Sequence, residues 1–273
     1  MLRESNTSGP DPGADAKALL DRPLPARSLI ASLLLRTQPP RMRGARLVQW
    51  CGLFGVAEGT TRVALSRMVE RGELRARDGV YELAGRVQSR QRAQDWSLEP
   101  ELLAWRGDWR VAFVEPGPRE AGERAALRDA MRRLRYASRR EGTWTRPDNL
   151  PRASAPTESW SVVDDQCSWW SGRPDEDPAT VAEGLFEAAR WSERAVMLTQ
   201  RLEHVTIALG DSDGPALADG FVTGAAALAH VRADPLLPRE LAANPGAGRS
   251  LRDAYRSYER AFSDALRRWF RAH

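Results

Sequence analysis

The chain has 273 residues, 42% of them hydrophobic and 29% charged, with a formal net charge of +4. This balance is apolar enough to bury a core, excludes wholesale disorder, and predicts about two or three domains. Two cysteines, Cys51 and Cys167, exclude a disulfide scaffold and a Cys-based zinc module, and three dispersed histidines make no metal motif. No apolar run approaches the roughly 20 residues of a membrane helix. The stretch from Met1 to Asp15 lacks the apolar centre of a secretory signal, so a cytoplasmic protein without membrane contact is expected.

Charge is more informative by segment than in total. Residues 22–92 hold 14 Arg against 5 acidic residues, a net of +9, which leaves the rest of the chain at −5. The preference for Arg over Lys (Lys17 is the single lysine) is a compositional bias, but the clustering is not. A basic block joined to a mildly acidic body points to a polyanion-binding module on a larger carrier.

Residues 1–25 read as a flexible tail, because Pro10, Pro12, Pro23 and Pro25 break any long element. Leu29, Ile30, Leu33 and Leu34 recur at helical spacing until Pro39-Pro40 stops them. A second helix fits Ala45 to Phe54, with Leu47, Val48, Cys51 and Phe54 inward, and a third fits Glu58 to Arg71. On the third, Ala64, Leu65, Met68 and Val69 share one face, while Arg62, Val63, Ser66, Arg67 and Glu70 share the other. Gly72 caps it. Asp78-Gly79 then joins two short β-like runs, a strong hairpin signal. Three helices and a hairpin over residues 26–83 predict a winged helix-turn-helix.

That order carries a mechanism. The third helix of such a module enters the major groove, where Arg bonds guanine bidentately and Ser or Thr reaches bases or phosphates. The predicted DNA contacts are Arg41, Arg43, Thr60, Thr61, Arg62, Ser66, Arg67, Arg75 and Arg77. Arg75 and Arg77 sit on one face of the hairpin opposite Leu74 and Ala76, placed for phosphate or the minor groove. Arg41, Arg43 and Arg46, at the turn into the second helix, are placed to grip the backbone.

Several of these segments resemble the phenylacetate-catabolism repressor (PaaX) family. They are Pro40-Arg41-Met42-Arg43-Gly44, Phe54-Gly55-Val56, Arg62 to Val69, and Gly72-Glu73-Leu74. The resemblance continues through Trp105 to Arg110, Leu127 to Arg135, Gly142-Thr143-Trp144 and Ala233 to Pro238. Two features depart from the family pattern. Ala57 stands where that family has a capping Ser or Thr, a loss of about 1 kcal/mol, which Glu58 partly offsets through the helix dipole. Pro147, Pro151 and Pro156 interrupt a helix expected over 148–159.

The resemblance implies a central ferredoxin-like domain over 105–177. Trp109 to Val114, Gly142 to Thr145 and Cys167 to Trp170 read as strands, and Glu120 to Tyr136 as a helix with Leu127, Met131 and Leu134 inward. Metal-dependent endonucleases of similar shape carry Asp at the end of the first strand. Here Glu115 and Pro116 stand there without a second ligand, so no metal site, cofactor or catalytic set is predicted. Asp164-Asp165 and Asp175 to Asp177 read as loop charges. Residues 84–104 form a connector, with a helix over Glu82 to Asp95 carrying Arg86, Arg90 and Arg92. Residues 178–273 form a helical C-terminal domain, with helices over 178–203, 216–233 and 251–270.

The predicted fold class is thus mostly α with small β elements (α+β). The function implied is an effector-responsive repressor of a catabolic operon, which binds double-stranded operator DNA and releases it on binding a small molecule of acyl-CoA type. Trp160, Trp169, Trp170 and Trp191 are the candidate effector residues, with core packing as their ordinary role. A homodimer is expected, with the apolar residues of 216–270 as its interface. Two alternatives stay open: an acyl-CoA-binding or other small-molecule-binding enzyme with a DNA-binding arm, and an effector-independent architectural nucleic-acid-binding protein.

Overall fold

Leu29, Ile30, Leu33 and Leu34 are fully buried on one side of the first helix, α1 (Ala26–Leu35), as their spacing requires. The computed structural model describes residues 24–37, 39–84, 94–155, 157–210 and 214–272. The elements that follow are β1 (Arg41–Arg43), α2 (Gly44–Gly52), α3 (Glu58–Glu70), β2 (Leu74–Arg77) and β3 (Val80–Leu83). Next come β4 (Trp109–Val114), α4 (Ala121–Arg133), β5 (Ala137–Arg140), β6 (Thr143–Pro147), α5 (Thr157–Asp164) and β7 (Cys167–Gly172). Four helices close the chain: α6 (Pro178–Phe186), α7 (Ala188–Ala208), α8 (Gly214–Arg232) and α9 (Ala247–Ala272). The fold is mixed α and β, mostly helical, with two small antiparallel sheets.

The described residues form two compact units, and α7, α8 and α9 each contribute to both. The first unit holds residues 24–84 with 200–210, 214–228 and 254–272. Its core is aromatic. Trp50 meets Phe54 and Phe221 edge-on at 5.1 Å each, and Phe262 at 6.2 Å. Arg36 lies over the rings of Phe262 and Tyr258 at 5.1 and 5.8 Å and reaches Glu259 at 3.5 Å. Leu217, Phe221, Tyr255, Tyr258, Phe262, Leu266 and Trp269 are all buried within one chain. They are therefore spent on this chain's own core, while Val222 and Leu228 of the same helices are half-buried.

In this unit β1, β3 and β2 make a three-stranded sheet in that order. The β2–β3 turn is the predicted one: Asp78 and Gly79 both have positive φ, 51° and 71°, which a tight hairpin of this kind requires. Sequence periodicity missed β1. Three residues after Pro39-Pro40 carry too little pattern, and only pairing with β3 makes them a strand. Leu74 is buried but Ala76 is exposed, contrary to expectation.

The second unit holds the described residues of 94–199 and 229–253. Here β4, α4, β5, β6, α5 and β7 follow one another, and the sheet order is β5-β6-β4-β7, antiparallel throughout. Helices α4 and α5 cover one face through Leu127, Met131, Leu134, Trp160 and Val163, against Ala112, Trp144 and Cys167 of the sheet. The segment Ala233 to Pro238 is held by two arginines. Arg252 pairs with Asp234 at 2.7 Å, both buried. Arg146, 2% exposed, donates to the carbonyls of Leu134, Pro147 and Leu236 and to Asn149 Oδ1. Burial pulls the Arg146 guanidinium down to about 10.

Other expectations change. The helix foreseen over 178–203 is two helices, broken at Glu187, which is left-handed at φ 48° without a glycine to announce it. Asp177 is no loop charge, because its carboxylate caps α6 through the Thr180 N–H at 2.8 Å. Asp164 ends α5 instead of lying in a loop. The prolines leave a 3₁₀ turn at Arg152–Ser154 before α5, so the interrupted helix is displaced toward the C-terminus. Strand β5 was missed because Arg139 and Arg140 fill half of it. Glu82 and Leu83 belong to β3 and not to a connecting helix; Arg86, Arg90 and Arg92, like the tail to residue 23, lie outside the described residues.

Candidate nucleic-acid interface

Helix α3 begins without a side-chain cap, as Ala57 dictates, with Glu58 in its first turn. Leu65 and Met68 anchor it to the core at 2% exposure each. The opposite face presents Thr60, Arg62, Val63, Ser66 and Arg67 to solvent. Arg62 is braced by Glu58 at 2.6 Å, an exposed pair one turn apart worth a few tenths of a kcal/mol. Ser66 donates to Glu70 at 3.2 Å. Among the described residues Arg67 makes no ion pair, so its five donors are available to an outside acceptor.

Thr61 is a correction. It is fully buried, its Oγ1 donates to the Ala57 carbonyl at 3.3 Å, and it sits beside the Cys51 thiol. Its i, i+4 relation to Leu65 puts it on the core face, out of reach of any groove.

The sheet carries the larger surprise. Arg41 and Arg75 both stand opposite Glu82, and Arg43 and Arg77 both stand opposite Val80. Residues directly opposite share a face, so all four arginines project from one side, in two rows that flank β3. Strands about 4.8 Å apart put each pair near 10 Å across. All four are exposed. Met42, Tyr81, Leu74 and Leu83 take the other side, with Leu74 and Leu83 buried. The Arg41-x-Arg43 alternation held the signal for this strand, although three residues are too few to weigh it alone. Arg46 lies over the Phe270 ring at 5.3 Å.

The four effector tryptophans do not converge. Trp160 and Trp169 pack with Tyr136 at centroid distances of 5.5 to 6.5 Å, on the helix-covered side of the second unit's sheet. Trp191 stacks on His230 at 4.8 Å, and His230 Nε2 donates to the Trp191 carbonyl at 2.9 Å. Burial pulls the His230 imidazole below its ordinary value, against that hydrogen bond. Trp170 alone, 67% exposed, opens into a cleft of about 620 Å³ on the other face, beside Val111, Phe113, Thr145 and Ser168.

No helix among the described residues is long and apolar enough to cross a membrane. A family model described as "PaaX-like protein" matches residues 25–87. Among solved structures, the chain is similar to "Uncharacterized protein Rv0674 from Mycobacterium tuberculosis". The two share 36% identity over 88% of this chain and 97% of that one, with a TM-score of 0.65. No curated protein matches.

Proposed function

Because this chain belongs to the PaaX-like protein family, a family of transcriptional regulators, we propose that it is a regulator that reads duplex DNA through α3 and the arginine face of β1, β2 and β3. One observation carries the reading: within one unit, the solvent face of α3 and four arginines on one side of a three-stranded sheet offer groove and phosphate contacts. Helix α3 is the recognition helix, Arg67 its principal base-reading residue, and the β2–β3 hairpin the wing of a winged helix-turn-helix. Arg62, Ser66 and Thr60 support Arg67 in the groove, while Arg41, Arg43, Arg75 and Arg77 hold phosphate.

In this reading the second unit's β-α-β-β-α-β run is a ferredoxin-like carrier, and the chain is not an enzyme. It acts as a cytoplasmic repressor in two copies on a two-part operator, released by a small-molecule effector of acyl-CoA type. For release, the effector must bind the DNA-incompetent form more tightly than the DNA-bound one. Binding of the full chain to duplex DNA, single-stranded DNA and duplex RNA, in a salt series, tests the central part. Duplex DNA is preferred, with a log–log salt slope set by several phosphate contacts. Equal affinity for all three, or a salt-independent affinity, overturns it.

A further inference from the structure

The buried residues of α3 are Thr61, Leu65 and Met68, and they set the direction of its core side. At roughly 100° per residue, Val63 lies almost directly opposite them, in the middle of the solvent face. It is 51% exposed, and no other large apolar side chain is exposed among the described residues of 24–84. A lone exposed apolar residue is ordinary on a protein surface, so the neighbours of this one decide its meaning. Gly59 precedes Val63 by four residues and Arg67 follows it by four, so the three share one row along the helix. A Cβ added at Gly59 would meet nothing within 4 Å. Glycine is less favourable than alanine at a helical position, and no described part of the chain fills the space it leaves. Valine is also a poorer helix former than alanine, because its branched Cβ is restrained against the preceding turn. The row thus holds an open notch, an apolar side chain and an arginine without an ion pair among the described residues. Packing within the chain calls for none of the three.

We infer that Val63 reads thymine, by packing on the thymine 5-methyl group in the major groove. The inference rests on the reading of α3 as the recognition helix given above. Val63 carries no donor, acceptor or charge, so it gains nothing from a phosphate or from the polar atoms of a base edge. The 5-methyl of thymine is the apolar group that base edges present in the major groove. Cytosine in the same place presents its N4 amino group, and adenine its N6 amino group, neither of which Val63 can satisfy. The missing side chain at Gly59 lets the base edge approach the valine methyls from the N-terminal side of the row. At 1.5 Å per residue, Val63 and Arg67 stand about 6 Å apart along the helix, and base pairs stack about 3.4 Å apart. The thymine therefore lies one or two base pairs from the guanine that Arg67 reads.

The test uses the full chain, Val63→Ala and the preferred duplex that the full chain selects from a random library. Each thymine of that duplex is replaced in turn by deoxyuridine, which keeps the pairing and the O4 acceptor and lacks the methyl. The parent chain is expected to lose about fourfold in affinity at one thymine within two base pairs of the Arg67 guanine, the value of one buried methyl. Val63→Ala is expected to bind the thymine and uracil duplexes equally. Its thermal unfolding is expected at or above that of the parent, because alanine is the better helix former. If uracil costs nothing at those positions, if no thymine stands there, or if Val63→Ala loses as much on uracil as the parent does, this inference falls while the reading of α3 stands. If the library yields no preferred duplex, or Arg67→Ala relaxes no guanine in it, the reading of α3 fails and this inference falls with it.

Discussion

Arg67 and Thr61 are six residues apart on α3, and both were expected to face DNA; the helix separates them. Arg67 stands exposed with no ion pair among the described residues, whereas Thr61 is fully buried. Arg67→Ala is therefore expected to cost about 1–3 kcal/mol on a preferred site and much less on random duplex. Equal losses on both would reassign Arg67 to phosphate. Thr61→Val is expected to lower unfolding stability by about 1 kcal/mol while leaving DNA affinity on a par with the parent's. A large loss of affinity at unchanged stability would return Thr61 to the interface. His230 makes a pH prediction in the second unit. Its imidazole is depressed by burial, so the unfolded chain takes up the proton first as the pH falls. The stabilisation is fully present above the unfolded value of about 6.5 and is lost as the pH falls through and below it. Chemical denaturation across this range is expected to show that loss in the parent chain, and a weaker one in His230→Gln. Identical pH dependence in the two would contradict the assignment.

The arginine face is a property of β1, β2 and β3 acting as one element. With about 0.9 in salt slope per phosphate, removing Arg75 and Arg77 together is expected to lower the slope by about 2, and adding Arg41 and Arg43 by about 2 more. If the first pair matters and the second does not, the hairpin touches DNA without β1. This element also shows what the sequence reveals and what it hides. The positions of α1, α2 and α3 and the Asp78-Gly79 turn were legible, because each rests on local periodicity or local backbone geometry. Strand β4 was legible to the residue and α4 nearly so, for the same reason. Strands β1 and β5 were not, because short arginine-bearing runs become strands only by pairing with a neighbour distant in sequence. The break at Glu187 was hidden because a non-glycine residue takes the left-handed turn. The exposed face of α3 could be read from helical spacing, with Thr61 as the error; that Arg41 and Arg43 share a sheet face with Arg75 and Arg77 waited on the pairing of β1 with β3.

At the scale of the molecule, the segment proposed to read DNA is not free-standing. Trp50 and Phe54 from the N-terminal part share one core with Phe221 and Phe262, about 170 to 210 residues later in the chain. Trp50→Ala is expected to cost about 3–5 kcal/mol, and a chain ending at residue 210 to lose the folded first unit and not simply its partner copy. A stable, DNA-binding fragment of residues 24–84 would contradict this. The described residues of the basic block up to residue 84 thus belong to a unit whose core is completed from the C-terminal third of the sequence. The central claim is that this unit reads sequence, and selection of preferred sites by the full chain from a random duplex library measures it most directly. The account predicts an enriched two-part motif with half-sites separated by about 10.5 base pairs or a multiple, in which Arg67→Ala relaxes a guanine position. No enrichment over the starting library, or the same motif recovered unchanged by Arg67→Ala, would contradict it.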